Sequence, residues 1–462
     1  MSRILHVGSG FRPLRRGGLV AYVEDLMHEQ ASRGHEVSYF LSGRYYPWMR
    51  RPRLRRWRLQ AVDMLEVVGS PLYDHGRQPA LELAEPHIER IFEQELARVR
   101  PDIVHVHELA GLPSSLLEIV RAAGLPVVFT LQDYFPLCST FKLLDSNGKV
   151  CLHRQIGEDC VATVAADTRD PAILYEGTLR YEIDRRLGRL SSERRERVLR
   201  ALSRRLPRNS PQVASAAAFQ RRRDLNVERL NGVDRVVAMS SRVAEIYELL
   251  GVEPRRLVTM QLTLKHIERL RPRAYSERSQ VTFATLGGGE SEAKGSRLLL
   301  DAARLLAPEA QAGRFRLLVF GHVNRAVRDE AAGLAGVEVR PSFAPGGLDS
   351  LLDEVDVGLM PSIWEEAYGY AGIEFLAKGI PVIANAIGGM VDYVRDGETG
   401  WLNRSLSAEG LAELMRRAID NAAEIGRMNS FLRENHGSIV KPLARHADEM
   451  DALYDELAAA RA

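Results

Sequence analysis

Apolar residues along the first forty positions change their period twice. Ile4-Leu5-His6-Val7 is a short strand-like run, a loop from Gly8-Ser9-Gly10 through Gly17-Gly18 interrupts it, and Val20, Val23, Leu26 and Met27 then recur at helical spacing until Gly34. Glu36 to Leu41 reads as a second strand. This βαβ opening predicts a parallel sheet with helices on both faces. Asp102 to Val106 and Pro126 to Thr130 extend the same sheet. From about Glu176 to Arg229 the pattern becomes long helical stretches crowded with arginine, which reads as a helical insertion; Arg235 to Met239 then restores a strand ahead of a helix from Ser241.

A second alternating series starts at Val281 to Thr285 and continues through Phe315 to Phe320, Val337 to Arg340, Val355 to Met360 and Pro381 to Ala384. The chain therefore holds two βα sheets in tandem, with the boundary expected between Met260 and Pro272. After Trp401 the sequence reads as almost entirely helical, with no further strand. The expected domains are residues 1–262 with the insertion at about 176–229, residues 263–435, and a C-terminal helix over 436–462 that packs back on the first domain.

Composition narrows the function. The chain has 462 residues, 45% hydrophobic and 27% charged, which suits two or three globular domains. Lys plus Arg is 63 against 61 for Asp plus Glu, so no global field holds the protein on nucleic acid or an anionic membrane, and any basic site must be local. Only six of those cations are lysines, so arginine clusters carry little weight by themselves. Three cysteines in so long a chain do not make a disulfide scaffold and fit a reducing compartment. No apolar run approaches the roughly 18 residues that span a bilayer, and the first residues form no signal-peptide core, so a cytoplasmic protein is expected.

The first glycines invite a dinucleotide reading that fails. The fingerprint needs G-x-G-x-x-G and an acidic residue closing the second strand. Position 13 is Pro13, and that strand ends in Leu41-Ser42-Gly43. What remains is a loop ending in Gly17-Gly18 at a helix start, where free amides and the helix dipole favour an anion; a plain tight turn is the alternative.

The opening strand, Gly17-Gly18 and Arg33-Gly34-His35-Glu36-Val37 resemble the start of the retaining glycosyltransferases of family 4. Pro361 to Ala377 resembles that family's signature of two glutamates seven residues apart, here Glu366 and Glu374. Gly379 to Ala384, Ile387-Gly388-Gly389-Met390 and Asp396 to Leu402 follow in register. The resemblance covers nearly the whole chain and implies the GT-B architecture: two Rossmann-like, doubly wound α/β domains facing a cleft. It further implies transfer from a nucleotide-sugar, a UDP- or GDP-sugar, with the anomeric configuration kept. The acceptor side falls to the first domain and the donor side to the second.

By the same resemblance Glu374 meets the ribose hydroxyls and Glu366 lies near the reacting sugar. Amides of Tyr368, Gly369, Tyr370 and Ala371 face the departing diphosphate, and Lys294 meets it from the loop after the second domain's first strand, so that no metal is required. The family's usual arginine five residues earlier is Gly289 here, within Gly287-Gly288-Gly289, whose amides could cradle a phosphate instead. Arg297 and Arg325 are alternative cations. His105-Val106-His107-Glu108 resembles the family's cleft motif, with His107 contacting the transferred sugar. Thr130-Leu131-Gln132-Asp133 resembles a second, acceptor-side motif in which Gln132 replaces a histidine. Thr263-Leu264-Lys265-His266 replaces an Asn-Gly-x-Asp hinge turn.

Two smaller constellations stay open. Cys138, Cys151, His153 and Cys160 could form a Cys3His zinc set, although their spacing matches no standard finger and buried thiols are the plainer reading. Tyr45, Tyr46, Trp48 and Trp57 interleave with seven arginines between Arg44 and Arg58, a pattern that suits single-stranded nucleic acid, an anionic lipid or a solvated loop. The near-zero net charge suits neither nucleic acid nor an anionic lipid well. By the resemblance this side faces the acceptor, so a phosphate-bearing or lipid-linked acceptor stands beside the solvated loop. No nucleic acid, a peripheral membrane contact and a glycan, lipid-linked or small-molecule acceptor are the expected partners. A non-catalytic nucleotide-sugar-binding subunit and a GT-B epimerase or phosphorylase are the competing functions.

Overall fold

The computed structural model describes residues 1–462 except 50, 72–76, 167–170, 188–190, 204–211, 342, 344 and 462. Its first sheet is built from β1 (Arg3–Ser9), β2 (Glu36–Ser42), β3 (Arg53–Leu59), β4 (Val62–Val68), β5 (Ile103–Val106), β6 (Val127–Leu131), β7 (Arg235–Ala238) and β8 (Leu257–Thr259). They lie in the order β3-β4-β2-β1-β5-β6-β7-β8, all neighbours parallel except β3 and β4. The second sheet comprises β9 (Val281–Leu286), β10 (Phe315–Phe320), β11 (Val337–Val339), β12 (Val357–Met360), β13 (Val382–Asn385) and β14 (Gly400–Asn403). Its order is β11-β10-β9-β12-β13-β14, parallel throughout.

Alternation along β9 and β10 divides the second domain's core. Phe283 and Leu317 pack with Trp401 on one face, whereas Ala284 and Leu318 join a cluster continuous with the first domain's core. The strand Gly400–Asn403 continues past Trp401 into the tail expected from sequence to hold no further strand. The run Gly400–Asn403 is too short and too mixed to show a period, and its pairing with β13 decides it.

Two more expectations change. Half of the aromatic and basic stretch is the edge strand β3, paired antiparallel to β4 and carrying arginines on its exposed positions. Arginine on an edge strand discourages pairing with other chains, so these charges need no nucleic acid. Arg44 is buried against Glu66 and Glu182. The insertion also begins earlier and ends sooner than expected: helices Glu158–Ala166, Pro171–Leu187 and Ser192–Ser203 are extra, but Ala216–Asn231 is the crossover from β6 to β7. That helix buries Arg222, which pairs with Glu82 and donates to the carbonyls of Phe135 (2.7 Å) and Pro136 (3.3 Å).

Beneath the carboxyl ends of β1, β5 and β6 runs a buried polar chain. Gln30 Oε1 accepts from His6 Nε2, which makes His6 Nδ1 the acceptor for the Nε2–H of His107, each at 2.8 Å. His105 bonds Thr130 Oγ1 at 2.7 Å and the Tyr454 hydroxyl at 2.6 Å. Tyr454 belongs to the C-terminal helix Leu443–Ala459, which packs on the helix Gly18–Ser32; His446 of the same helix meets the Tyr22 hydroxyl at 2.9 Å. Burial lowers His6 to about 4 and His446 to about 3, and holds His105 and His107 well below an ordinary imidazole.

These four imidazoles stay neutral in the fold but charge near pH 6.5 when unfolded, so acidification below about 6.5 favours the unfolded chain. Asp133, raised by burial and by Glu108 to about 7, and Glu82, raised by burial, oppose this, while His28, lowered by burial, adds to it. Thermal melts should therefore show a midpoint that falls steadily between pH 6.5 and 5, above the range where ordinary carboxylates titrate. A flat midpoint across that interval would contradict the neutral chain. Arg222→Ala leaves Glu82 buried without its counterion, and denaturant unfolding should show a loss on the order of 3–5 kcal/mol.

Candidate functional site

Each sheet reverses its direction of growth at one place, between β1 and β5 and between β9 and β12. Loops leave the carboxyl ends of such neighbouring strands in opposite directions and open a crevice where ligands settle. Here both crevices open on one cavity of about 780 Å³. From the first domain Arg12, Pro13 and Arg16 to Gly18 line it; from the second come Thr285 to Gly288, Lys294, Met360 to Ser362, Glu366, Gly369 to Ala371 and Glu374.

Glycine is required where the two domains approach. Gly17 has φ +122°, a backbone state that side chains resist. A Cβ on Gly18 would lie 2.6 Å from the Tyr370 ring, so only glycine lets the helix Gly18–Ser32 start against the helix Tyr370–Ala377. Neither helix has an acidic residue in its first turn or a side-chain cap, so their amides face the cavity uncompensated.

The two glutamates are held differently. Glu366 Oε1 takes Lys294 Nζ at 2.5 Å, while Oε2 accepts from Ser362 Oγ at 2.9 Å and from Trp364 Nε1 at 3.0 Å. Lys294 also lies 5.4 Å from the centre of the Trp364 ring. Glu374 Oε1 meets His266 Nε2 at 2.6 Å. Glu365, beside Glu366, points to the first domain instead: Arg242 pairs with it at 2.6 Å, and Gly388 N donates to it at 2.9 Å.

Of the residues singled out from sequence, Gly17, Gly18, Gly288, Lys294, Glu366, Gly369, Tyr370, Ala371 and Glu374 come together on this wall. Gly289 and Tyr368 do not. A Cβ on Gly289 would lie 2.9 Å from both Val319 and Val323, so the loop packs inward there with no room for an arginine. The phosphate cradle expected of the glycines is also closed, since Gly287 N donates to Phe320 O and Gly288 N to Thr285 Oγ1. Arg297 pairs with Asp301 and Glu330, and Arg325 with Asp329, all away from the wall.

His107 lies off this wall. Its ring is fully buried in the imidazole chain and does not reach the cavity wall; its Nδ1 has no partner. Gln132 and Asp133 follow β6 at the carboxyl edge of the first sheet, off the wall as well. Both polar atoms of Gln132 are buried without partners. Asp133 accepts from Phe135 N and stands near Glu108, which Arg15 holds. The zinc set is not assembled: His153 Nδ1 donates to Gln155 O, Cys138 Sγ contacts Thr140 Oγ1, and all three cysteines are free. Among the described residues the group of potential ligands that does converge is His6, His105 and His107, whose nitrogens are largely spent on the hydrogen bonds above.

Sequence reading missed the partners of the carboxylates. His266 lies in the turn singled out for departing from the usual pattern, and that departure was the available signal. Ser362 and Trp364 sit four and two residues before Glu366 and follow from the local turn. Nothing in the sequence pointed to Arg242, 123 residues from Glu365.

Residues 17–263 match the family model described as a glycosyl transferase 4-like domain, and residues 280–421 match that of the group 1 glycosyl transferases. The putative colanic acid biosynthesis glycosyltransferase WcaL of Salmonella typhimurium is 29% identical over 168 residues, 35% of this chain and 38% of the relative. A D-inositol 3-phosphate glycosyltransferase of Rhodococcus opacus is 31% identical over 157 residues, 32% and 35% of the two chains. The chain thus spans little more than a third of the length of these relatives. Sucrose-phosphate synthase from Thermosynechococcus elongatus superposes with a TM-score of 0.65 at 16% identity, over 99% of this chain and 100% of that one. Anabaena HepE, solved with UDP and glucose, gives 0.59 at 12% identity over 99% and 100%. Those likenesses establish the GT-B fold.

Proposed function

The chain belongs to the 4-like, group 1 glycosyl transferases, and from that premise we propose that it moves a sugar from a nucleotide-sugar donor to an acceptor, keeping the anomeric configuration. The observation that carries this reading is the convergence of Glu366, Glu374, Lys294 and two uncapped helix starts on one cavity between the sheets. In this reading Glu374, one oxygen fixed by His266, offers the other to the ribose hydroxyls. Glu366, immobilised by three donors, stands beside the reacting sugar, where a fixed negative charge stabilises developing positive charge at the anomeric carbon. Negative charge on the departing diphosphate falls to Lys294 and to the amides opening Tyr370–Ala377, so the scheme needs no bound metal. A UDP- or GDP-sugar suits the site, and HepE, alike in fold, was solved with UDP-glucose.

The first domain would hold the acceptor on the side where Gln132 and Asp133 follow β6. A lipid-linked acceptor is favoured over a free glycan or small molecule by one surface feature. Trp48, 63% exposed, packs with Tyr46 and with Tyr175 of the helix Pro171–Leu187 into an aromatic cluster, and the sequence from 171 to 211 carries eleven arginines against five acidic residues. No helix among the described residues is long and apolar enough to cross a membrane, so contact at the cytoplasmic face would be peripheral. A non-catalytic nucleotide-sugar-binding subunit is the second reading, favoured by Gln132 in place of a histidine.

Turnover of UDP- and GDP-sugars with and without acceptor separates these readings; product without acceptor would instead indicate an epimerase. Glu374→Ala should weaken nucleotide binding about ten- to a hundredfold by calorimetry, the equivalent of one charged hydrogen bond. Glu366→Ala should mainly lower kcat; unchanged nucleotide affinity in Glu374→Ala would refute the ribose assignment. Vesicles rich in phosphatidylglycerol should sediment the native protein and retain less of Trp48→Ala, whereas equal retention would remove the membrane contact.

A further inference from the structure

Three cations line the cavity, and two are already engaged. Arg12 donates from its backbone N and Nε to Glu24, each at 2.6 Å, and from Nη2 to Asp25 at 3.2 Å. Lys294 is bound to Glu366. Arg16 is different: it is exposed, lines the cavity, and among the described residues has no carboxylate or carbonyl partner. It lies two residues before the helix Gly18–Ser32, on the wall opposite Lys294.

Among the described residues Lys294 is the one lysine or arginine that the second domain brings to the cavity wall. Gly289 is packed against Val319 and Val323, the neighbouring glycine amides are spent inside the loop, and Arg297 and Arg325 pair elsewhere. Lys294, shared with Glu366, and the helix amides would then be all that answers two phosphoryl groups from this wall. A ligand carrying roughly two negative charges requires more than that in a partly enclosed site.

We propose that Arg16 binds the diphosphate of the donor from the first domain, across the cavity from Lys294, in place of the cation that the loop at Gly289 cannot hold. This rests on the donor reading above and adds to it a residue of the opposite domain. A guanidinium can bridge two phosphoryl oxygens with paired N–H groups, which an ammonium cannot. Because Arg16 stands on the first domain, the diphosphate then ties the two domains together, and a donor lacking its second phosphate would lose most of that tie.

Calorimetry with UDP, GDP and ADP, and with UMP, GMP and AMP, on the native chain, Arg16→Ala, Arg16→Lys and Arg325→Ala provides the test. Arg16→Ala should weaken whichever diphosphate the native protein binds about ten- to a hundredfold, with a smaller loss for the monophosphate. Arg16→Lys should recover part of the loss, and Arg325→Ala, changed at an exposed site off the wall, should bind as the native protein does. Circular dichroism confirms that the variants are folded. Undiminished diphosphate binding by Arg16→Ala, or an equal loss in Arg325→Ala, overturns the role of Arg16 and leaves the donor reading standing. A native chain that binds none of the diphosphates overturns the donor reading and this inference together.

Discussion

The cavity depends on a missing side chain. With any Cβ at Gly18, the Tyr370 ring 2.6 Å away would have to withdraw, and the second domain's signature helix would lose its seat on the first domain's first helix. Two helix starts would then separate, and with them the amides, carboxylates and cations that share the cavity. Gly369, with φ +78° and a would-be Cβ 2.8 Å from the Tyr393 hydroxyl, sets the other side of the same approach. Steric permission at two glycines therefore precedes all of the electrostatics.

Charge is arranged in the cavity by pairing, and the pairs differ in what they leave available. Lys294 with Glu366 and His266 with Glu374 join unlike groups within the second domain, so each carboxylate is oriented before any ligand arrives. Orientation of this kind reduces the reorganisation a reaction must pay, which is where fixed polar groups exceed water. Glu365 serves another end. Lying next to Glu366 but aimed at Arg242, it joins the loop to the first domain, aided by Ser241, which donates to Asp392 from both N and Oγ. Adjacent acids thus divide between the cavity and the domain contact.

How far this was legible depends on the range of the interaction. Both sheets could be read because parallel strands buried on two faces are apolar runs, and the ordered motifs located Glu366, Glu374 and Lys294. β8 and β14 escaped because edge strands of three and four residues carry little period. β3 with its partner β4 escaped although each has seven residues, since arginine breaks the alternation of β3 and its pairing with β4 defines it. The orientation of the His107 ring was out of reach for a related reason. The motif fixes the residue at the end of β5, but whether its ring turns to the cavity or inward is decided by His6 and Gln30 on other elements. The cysteines show the converse: a suggestive local count, with side chains bonded to unrelated groups.

Arginine composition misled most, and the reason bears on the acceptor side. Discounting arginines as a bias of composition treats them as surface charge, yet Arg222, Arg223 and Arg229 on the crossover helix are buried. Arg222 and Arg223 donate to the carbonyls of Phe135 and Leu137, and Arg229 to that of Leu83. A guanidinium meets several carbonyls at once in a fixed plane, whereas a lysine ammonium does not. Those carbonyls belong largely to the chain that follows Asp133, which has no regular structure of its own until Glu158. Arginine from one helix supplies the hydrogen bonds that a sheet would otherwise give, and so keeps Asp133 at the carboxyl edge of β6 on a segment that is irregular but not free.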